Sequence, residues 1–135
     1  MNERNLAINP NELAPAIGYS HAVLAAPGRT VYLAGQIAFD KEGQIVGDTW
    51  VEQFDLALSN LVVALAGAGG EPEDLVWMQI FTVDVAAYRA ARPDLGPVYR
   101  RHLGRHFPAM GLYGVNELAD VGALVEITAI AVISA

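Results

Sequence analysis

Cysteine is absent from the chain, which excludes disulfides, thiolate metal sites and cysteine nucleophiles. Charge is scarce too, at 17% of residues, and positive charge is scarcer still. Only 8 Lys and Arg stand against 15 Asp and Glu, a net charge of −7, so the long-range field opposes general binding of nucleic acid. No uninterrupted apolar run approaches the roughly 18 residues that a membrane span needs. The opening stretch MNERNLAINPNELAP lacks a charged-then-apolar leader pattern. A soluble protein of the reducing cytoplasm, with no membrane and no nucleic-acid partner, is the expectation.

Internal repeats, low-complexity tracts and long linkers are missing as well, so the 135 residues are expected to form one domain spanning 1–135. Apolar residues are abundant at 53%, more than a lone domain of this size readily hides. That surplus points to a subunit interface.

The patterns HAVLAA and TVYLAGQIAF, separated by PGR, predict two antiparallel strands joined as a hairpin. After the turn DKEGQIVGD, Val51, Phe54, Leu58, Leu61, Val62 and Leu65 recur at helical spacing. Thr49 and Glu52 match a capping box at the start of that helix, and Gly67, Gly69 and Gly70 mark its end. DLVWMQIFTVDV is apolar on both faces, as a covered central strand should be. RPDLGPVYRRHLGRHF reads as a second helix, with Pro93 or Pro97 placed near its first turn. MGLYGV and ALVEITAIAVIS are strands. With a short strand at Leu6 to Ile8 added, the order ββαβαββ implies an α/β sandwich, two helices lying on one face of a mixed sheet.

Glu126 interrupts an otherwise apolar strand, where partial desolvation would raise its pKa and suit it to exchange protons with a bound water. The plainer alternative is a strand Glu whose head reaches solvent. Tyr19, after Gly18, can offer a phenol to a ligand or simply pack at a strand entrance. Gly35, in LAGQIAF, permits close approach to the backbone or marks a bulge. His102 and His106 share a helix face, yet no third metal ligand stands at complementary spacing. Five of the 8 basic residues, Arg89, Arg92, Arg100, Arg101 and Arg105, crowd into one stretch, read either as phosphate contacts or as a solvated face offsetting nearby acids.

Taken in order, AIGYSHAV, TVYLAGQIAFD, LSNLVVALAGAGG, DLVWMQIFTVDV, VYRRHLGRHFPA and GALVEITAIAV resemble the RidA/YjgF family, also called the endoribonuclease L-PSP or UK114 family, from about Ala16 to Val132. The resemblance implies a chorismate-mutase-like fold and a homotrimer with small-molecule clefts between subunits. It also implies hydrolysis of enamines or imines to keto acids and ammonia without metal or organic cofactor. In that scheme an Arg of a PARS motif grips the substrate carboxylate, backbone near an SGQ strand holds the imine, and a strand Glu positions water.

By resemblance Glu126 takes the place of the water-positioning Glu, Tyr19 that of the motif Tyr, and Gly35 with Gln36 that of the SGQ strand. Ala34 replaces the Ser of SGQ, and PARS has become PAMG, with Met110 for Arg and Gly111 for Ser. Gly96 falls where an Asn often precedes VY. Met cannot supply a charge-assisted, two-pronged contact, so the cleft, with Met110, Gly111, Leu112 and Tyr113, is expected to take a less anionic or more apolar ligand. Arg105 is the nearby substitute in sequence. Two functions follow: an imine or enamine deaminase on a non-standard substrate, or a non-catalytic trimeric ligand-binding protein using the same cleft. RNA cleavage, suggested by a family name and the basic stretch, is opposed by the acidic net charge.

Overall fold

The computed structural model describes residues 4–135, so the first three residues of the expected domain lie outside the described part. In chain order the elements are β1 (Leu6–Ile8), β2 (Ala22–Leu24), β3 (Gly28–Gln36), α1 (Trp50–Gly67), a 3-10 turn (Pro72–Asp74), β4 (Leu75–Thr82), α2 (Val85–Leu103), β5 (Ala109–Gly114) and β6 (Val125–Ser134). The main sheet has the order β3-β6-β4-β5. β6 runs antiparallel to both neighbours, and β4 with β5 is parallel. This is the expected mixed sheet with two helices. No helix among the described residues is long and apolar enough to cross a membrane.

Side-chain alternation decides which sheet face carries the helices. Leu33, Met78, Ile80, Val125, Ile127, Ala129 and Ala131 are buried in one cluster with Phe54, Leu58, Leu61 and Leu65 of α1 and Ala91, Val98 and Leu103 of α2. The intervening positions, Tyr32, Trp77, Phe81, Glu126 and Ile130, face away from the helices. Tyr32 is 78% exposed, an apolar surface of the kind that the composition foretold.

Three local expectations change. The hairpin does not form: β2 pairs with β1, Leu6 opposite Leu24, while β3 pairs with β6. The intervening Pro27 carbonyl accepts from the Ala135 N–H, and Ala26 donates to Asn5 Oδ1 at 2.9 Å, so long-range partners hold this corner open. Second, α2 begins at Val85, capped by the Asp84 side chain, with both Pro93 and Pro97 in its interior. Each lacks the N–H that would bond four residues back. Both lie on the exposed face, where water can satisfy the carbonyls of Arg89 and Pro93 left free. Third, Thr49 caps α1 by accepting from Glu52 N–H at 3.1 Å, but its hydroxyl donates to Glu52 Oε1, in place of the backbone arm of a capping box.

The core has one polar knot. Thr82 is fully buried; its hydroxyl donates to the Leu124 carbonyl at 2.8 Å and accepts from Trp50 Nε1 at 2.9 Å and from the Asp84 N–H at 3.0 Å. On the surface, Arg101 and His102 of α2 clasp Asp55 of α1 at 3.0 and 2.6 Å. Burial raises the Asp55 pKa, but hydrogen bonds from His102 and Arg101, and their charges, outweigh it and hold the carboxyl below its ordinary value.

Thr82→Val keeps the volume and removes the knot, leaving the buried Trp50 indole N–H and the part-buried Asp84 N–H without their acceptor, while the Leu124 carbonyl keeps the Val83 N–H at 3.3 Å. It should lower the urea unfolding free energy by about 1–3 kcal/mol, with Thr82→Ser much milder. For Asp55 the depressed folded pKa means that its contribution is present above the unfolded value near 3.9 and lost as pH falls through the folded one. The urea midpoint should therefore fall between about pH 5 and pH 3, and fall less steeply in Asp55→Asn.

Candidate functional site

Two groups of side chains emerge, one on each face of the sheet. On the face away from the helices, Glu126 stands at the start of β6, half-buried and cross-strand from Phe81, which in turn pairs with Tyr113 of β5. The Phe81 and Tyr113 rings lie 5.7 Å apart. Opposite Glu126, β3 is irregular: Leu33 pairs with Ala129 but Gln36 with Ile127, so Ala34 and Gly35 together face Thr128. That bulge releases backbone polar groups from the ladder. A Cβ built on Gly35 would overlap the Glu126 carboxylate, so the carboxylate lies directly over the glycine. A Cβ on Gly111 would likewise strike the Tyr113 hydroxyl.

On the helix face is a cavity of about 790 Å³ between β5, α1 and α2. Its walls include Trp50, Phe54, Ile80, Tyr88, Tyr99, Phe107, Met110 and Leu112. Met110 and Leu112 pair with the core residues Met78 and Ile80, which fixes their direction. Tyr19 closes one side. It is carried there because Ser20 bridges to Ala109, donating its N–H to the Pro108 carbonyl at 3.1 Å and its hydroxyl to the Phe107 carbonyl at 2.5 Å. Tyr99 stacks on Phe107 with centroids 5.2 Å apart and donates to the His106 carbonyl at 2.6 Å; burial pushes its phenol pKa well up.

The residues expected in one cleft are thus divided within a single chain. Glu126, Gly35 and Ala34 share the open face; Tyr19, Met110, Gly111 and Leu112 line the cavity; Gln36 lines a separate shallow groove beside Phe39 and Asn60. Arg105 is exposed and lines neither. His102 and His106 turn to different partners, Asp55 Oδ1 and the Leu75 carbonyl, and no three His, Asp or Glu side chains among the described residues gather as a metal site. Missed as cavity residues were Arg92 and Arg100, which line it from α2. Their spacing of eight, two turns of helix, with Tyr88 and Tyr99 on the same stripe, was the available signal.

Comparisons with known proteins agree with this architecture. Residues 9–133 match the family model described as Endoribonuclease L-PSP. A Capra hircus protein named 2-iminobutanoate/2-iminopropanoate deaminase is 37% identical over 119 residues, covering 87% of this chain and 82% of that one. A Homo sapiens protein of the same name is 33% identical over the same shares. The crystal structure of YyfB, a conserved Rid family protein of unknown function from Yersinia pestis, superposes with a TM-score of 0.83 at 32% identity, covering 97% of this chain and 100% of that one.

The contact between Gly35 and Glu126 sets a prediction. Gly35→Ala should push the flexible Glu126 carboxylate aside at a cost of no more than about 1 kcal/mol in urea denaturation. Most of that cost should vanish when Glu126→Ala is added, and purely additive losses would show that the two do not touch.

Proposed function

The chain belongs to the endoribonuclease L-PSP family, of RidA/YjgF type, and from that premise we propose that it is a cytoplasmic, cofactor-independent deaminase that hydrolyses an imine or enamine to a carbonyl compound and ammonia. The observation that carries the proposal is Glu126, a carboxylate lying over Gly35 beside a bulge whose backbone groups are free of the ladder. A water held by Glu126 adds its oxygen to the carbon of the protonated imine while the C=N electrons move to nitrogen, leaving it a neutral amine, and the carboxylate takes one water proton. The carbinolamine then collapses: Glu126 passes that proton to the amine nitrogen, the hydroxyl oxygen forms the C=O bond as the C–N bond breaks and ammonia leaves, and the hydroxyl proton returns to the carboxylate, from which it passes to ammonia or solvent. Ala34 and Gly35 hold the imine end by backbone hydrogen bonds.

In this reading three copies of the chain cover one another's open sheet faces, which carry Tyr32, Trp77, Phe81 and Ile130, and enclose Glu126 between subunits. In the same assembly the Met110 cavity of one copy meets Glu126 of the next, and the substrate differs from simple 2-imino acids, because Met110 offers no charge for a carboxylate. A second reading, a trimeric ligand-binding or regulatory protein without turnover, is favoured by one observation. Met110, Leu112 and Tyr19 line a cavity that opens on the face away from Glu126.

Ammonia and keto-acid release from freshly generated imines separates the two. Turnover by the unmodified chain should fall by at least about a hundredfold in Glu126→Gln with the urea midpoint unchanged; equal rates would remove Glu126 from the mechanism. Met110→Arg should raise turnover of the smallest 2-imino acids, and silence of every variant, with saturable thermal stabilisation by a metabolite, would favour the binding protein.

A further inference from the structure

The open face of the sheet is built in rows, because strands in register bring alternate residues side by side. One flanking row is Tyr32, Ile130, Trp77 and Ala109, and the other is Glu126, Phe81 and Tyr113. The row between them holds Thr128, Gln79 and Gly111, with Ala34 and Gly35 of the bulge at its β3 end. This middle row is a trough of small and polar groups, and at its centre Thr128 donates to Gln79 Oε1 at 3.3 Å. A face covered by apolar packing alone would gain nothing from it.

Both ends of the trough are finished in the same way. At the β3 end the Glu126 carboxylate folds back over Gly35, and at the β5 end the Tyr113 hydroxyl folds back over Gly111; a Cβ on either glycine would strike the group above it. The two glycines leave the room that the two polar heads occupy. The Tyr113 ring is set against Phe81, 5.7 Å away, yet the residue is exposed and its hydroxyl meets no partner among the described residues, whereas Tyr99 gives its own to the His106 carbonyl. The PARS motif carries a Ser where Gly111 stands. A side chain on residue 111 and a phenol folded over it exclude one another, so here the hydroxyl has moved from position 111 to the end of Tyr113. Within one chain Phe81 stands between Glu126 and Tyr113 and keeps them apart.

β3 and β5 are the two edges of the main sheet. A ring of copies that covers the open faces therefore brings the β5 edge of one beside the β3 edge of the next. The troughs then run end to end, with Tyr113 the last polar head of one copy and Glu126 the first of its neighbour. We propose that the Tyr113 hydroxyl donates a hydrogen bond to the carboxylate of the partner subunit's Glu126, holding one oxygen so that the other faces the water. An O–H···O⁻ bond is short and strong, and it orders a carboxylate that would otherwise turn freely on a flexible side chain. Tyr113 is thereby a positioning residue. That role rests on the deaminase reading; the bond itself needs only the assembly.

Titration of the Tyr113 phenol tests the bond without turnover, read as the ultraviolet absorbance difference between the full chain and Tyr113→Phe. Glu126→Gln should raise the phenol's ionisation constant at least about tenfold, since a neighbouring anion and a hydrogen bond from the un-ionised phenol both oppose loss of its proton. Turnover of freshly generated imines tests the role. Tyr113→Phe should lower kcat at least about tenfold with KM unchanged and move the acid limb of the pH profile upward, because the carboxylate loses a bond that favours its charged form. Tyr113→Val should lose as much, and adding Gly111→Ser, which returns a hydroxyl to the trough, should restore most of it. Tyr113→Phe and Glu126→Gln chains co-expressed in equal amounts should reach about a quarter of the unmodified rate, the share of random pairings in which each residue comes intact from a different copy. Two residues acting within one chain would leave only the residual rate of the Tyr113→Phe chains. An ionisation constant indifferent to Glu126 overturns the proposal, as does a mixture no faster than its parts while the unmodified chain is active. If no chain releases ammonia, the deaminase reading fails and the titration decides the bond alone.

Discussion

A single hydroxyl ties the fold together. Thr82 ends β4 in the fully buried core, and its oxygen meets Trp50 at the head of α1, Asp84 at the cap of α2 and the Leu124 carbonyl that leads into β6. Each partner belongs to a different element, so the spacing of both helices against the sheet is fixed by one small polar group with a set number of bonds. Hydrophobic burial is non-directional and would tolerate a sliding of helices over the sheet; this knot does not. It also turns Trp50 so that its ring, stacked 5.3 Å from Phe54 and 5.4 Å from Tyr88, becomes cavity wall. The cavity's shape descends from the knot.

The sheet keeps two chemistries apart. Pleating sends Val125 and Ile127 to the helices and Glu126 between them to the other side, and the same alternation in β5 sends Met110 and Leu112 to the cavity and Tyr113 to the open face. A carboxylate and a pair of arginines that would neutralise each other in contact are held apart by a layer of strands. Each keeps the freedom to meet something external.

Much of this was legible in the chain. The strand and helix periodicities, the central place of DLVWMQIFTVDV and the isolation of Glu126 among apolar neighbours all depend on short-range pattern, and the structure follows them. What escaped is non-local. A period of two identifies β2 and β3 as strands but says nothing of partners, and the true partners of β3 lie about a hundred residues on, in β6. Pro93 and Pro97 read as a boundary because local propensity disfavours them in a helix. Burial of Ala91, Val98, Tyr99 and Leu103 together with the Asp84 cap carries the helix through. Whether Met110 and Glu126 share a face depends on the registers of β4 with both neighbours, which no local spacing encodes.

Strand order has a consequence for how such a chain comes into being. β6 is the last strand in chain order, yet it lies in the middle of the sheet, bonded to β3 on one side and β4 on the other. As the chain emerges during synthesis, β3, α1 and β4 are present while the strip that must separate β3 from β4 is still unmade. Their inner edges wait unpaired, and the Leu124 acceptor of the Thr82 knot is missing as well. The assembly of the core is therefore postponed to the arrival of its final strand, and until then two exposed edges offer themselves to any neighbouring chain.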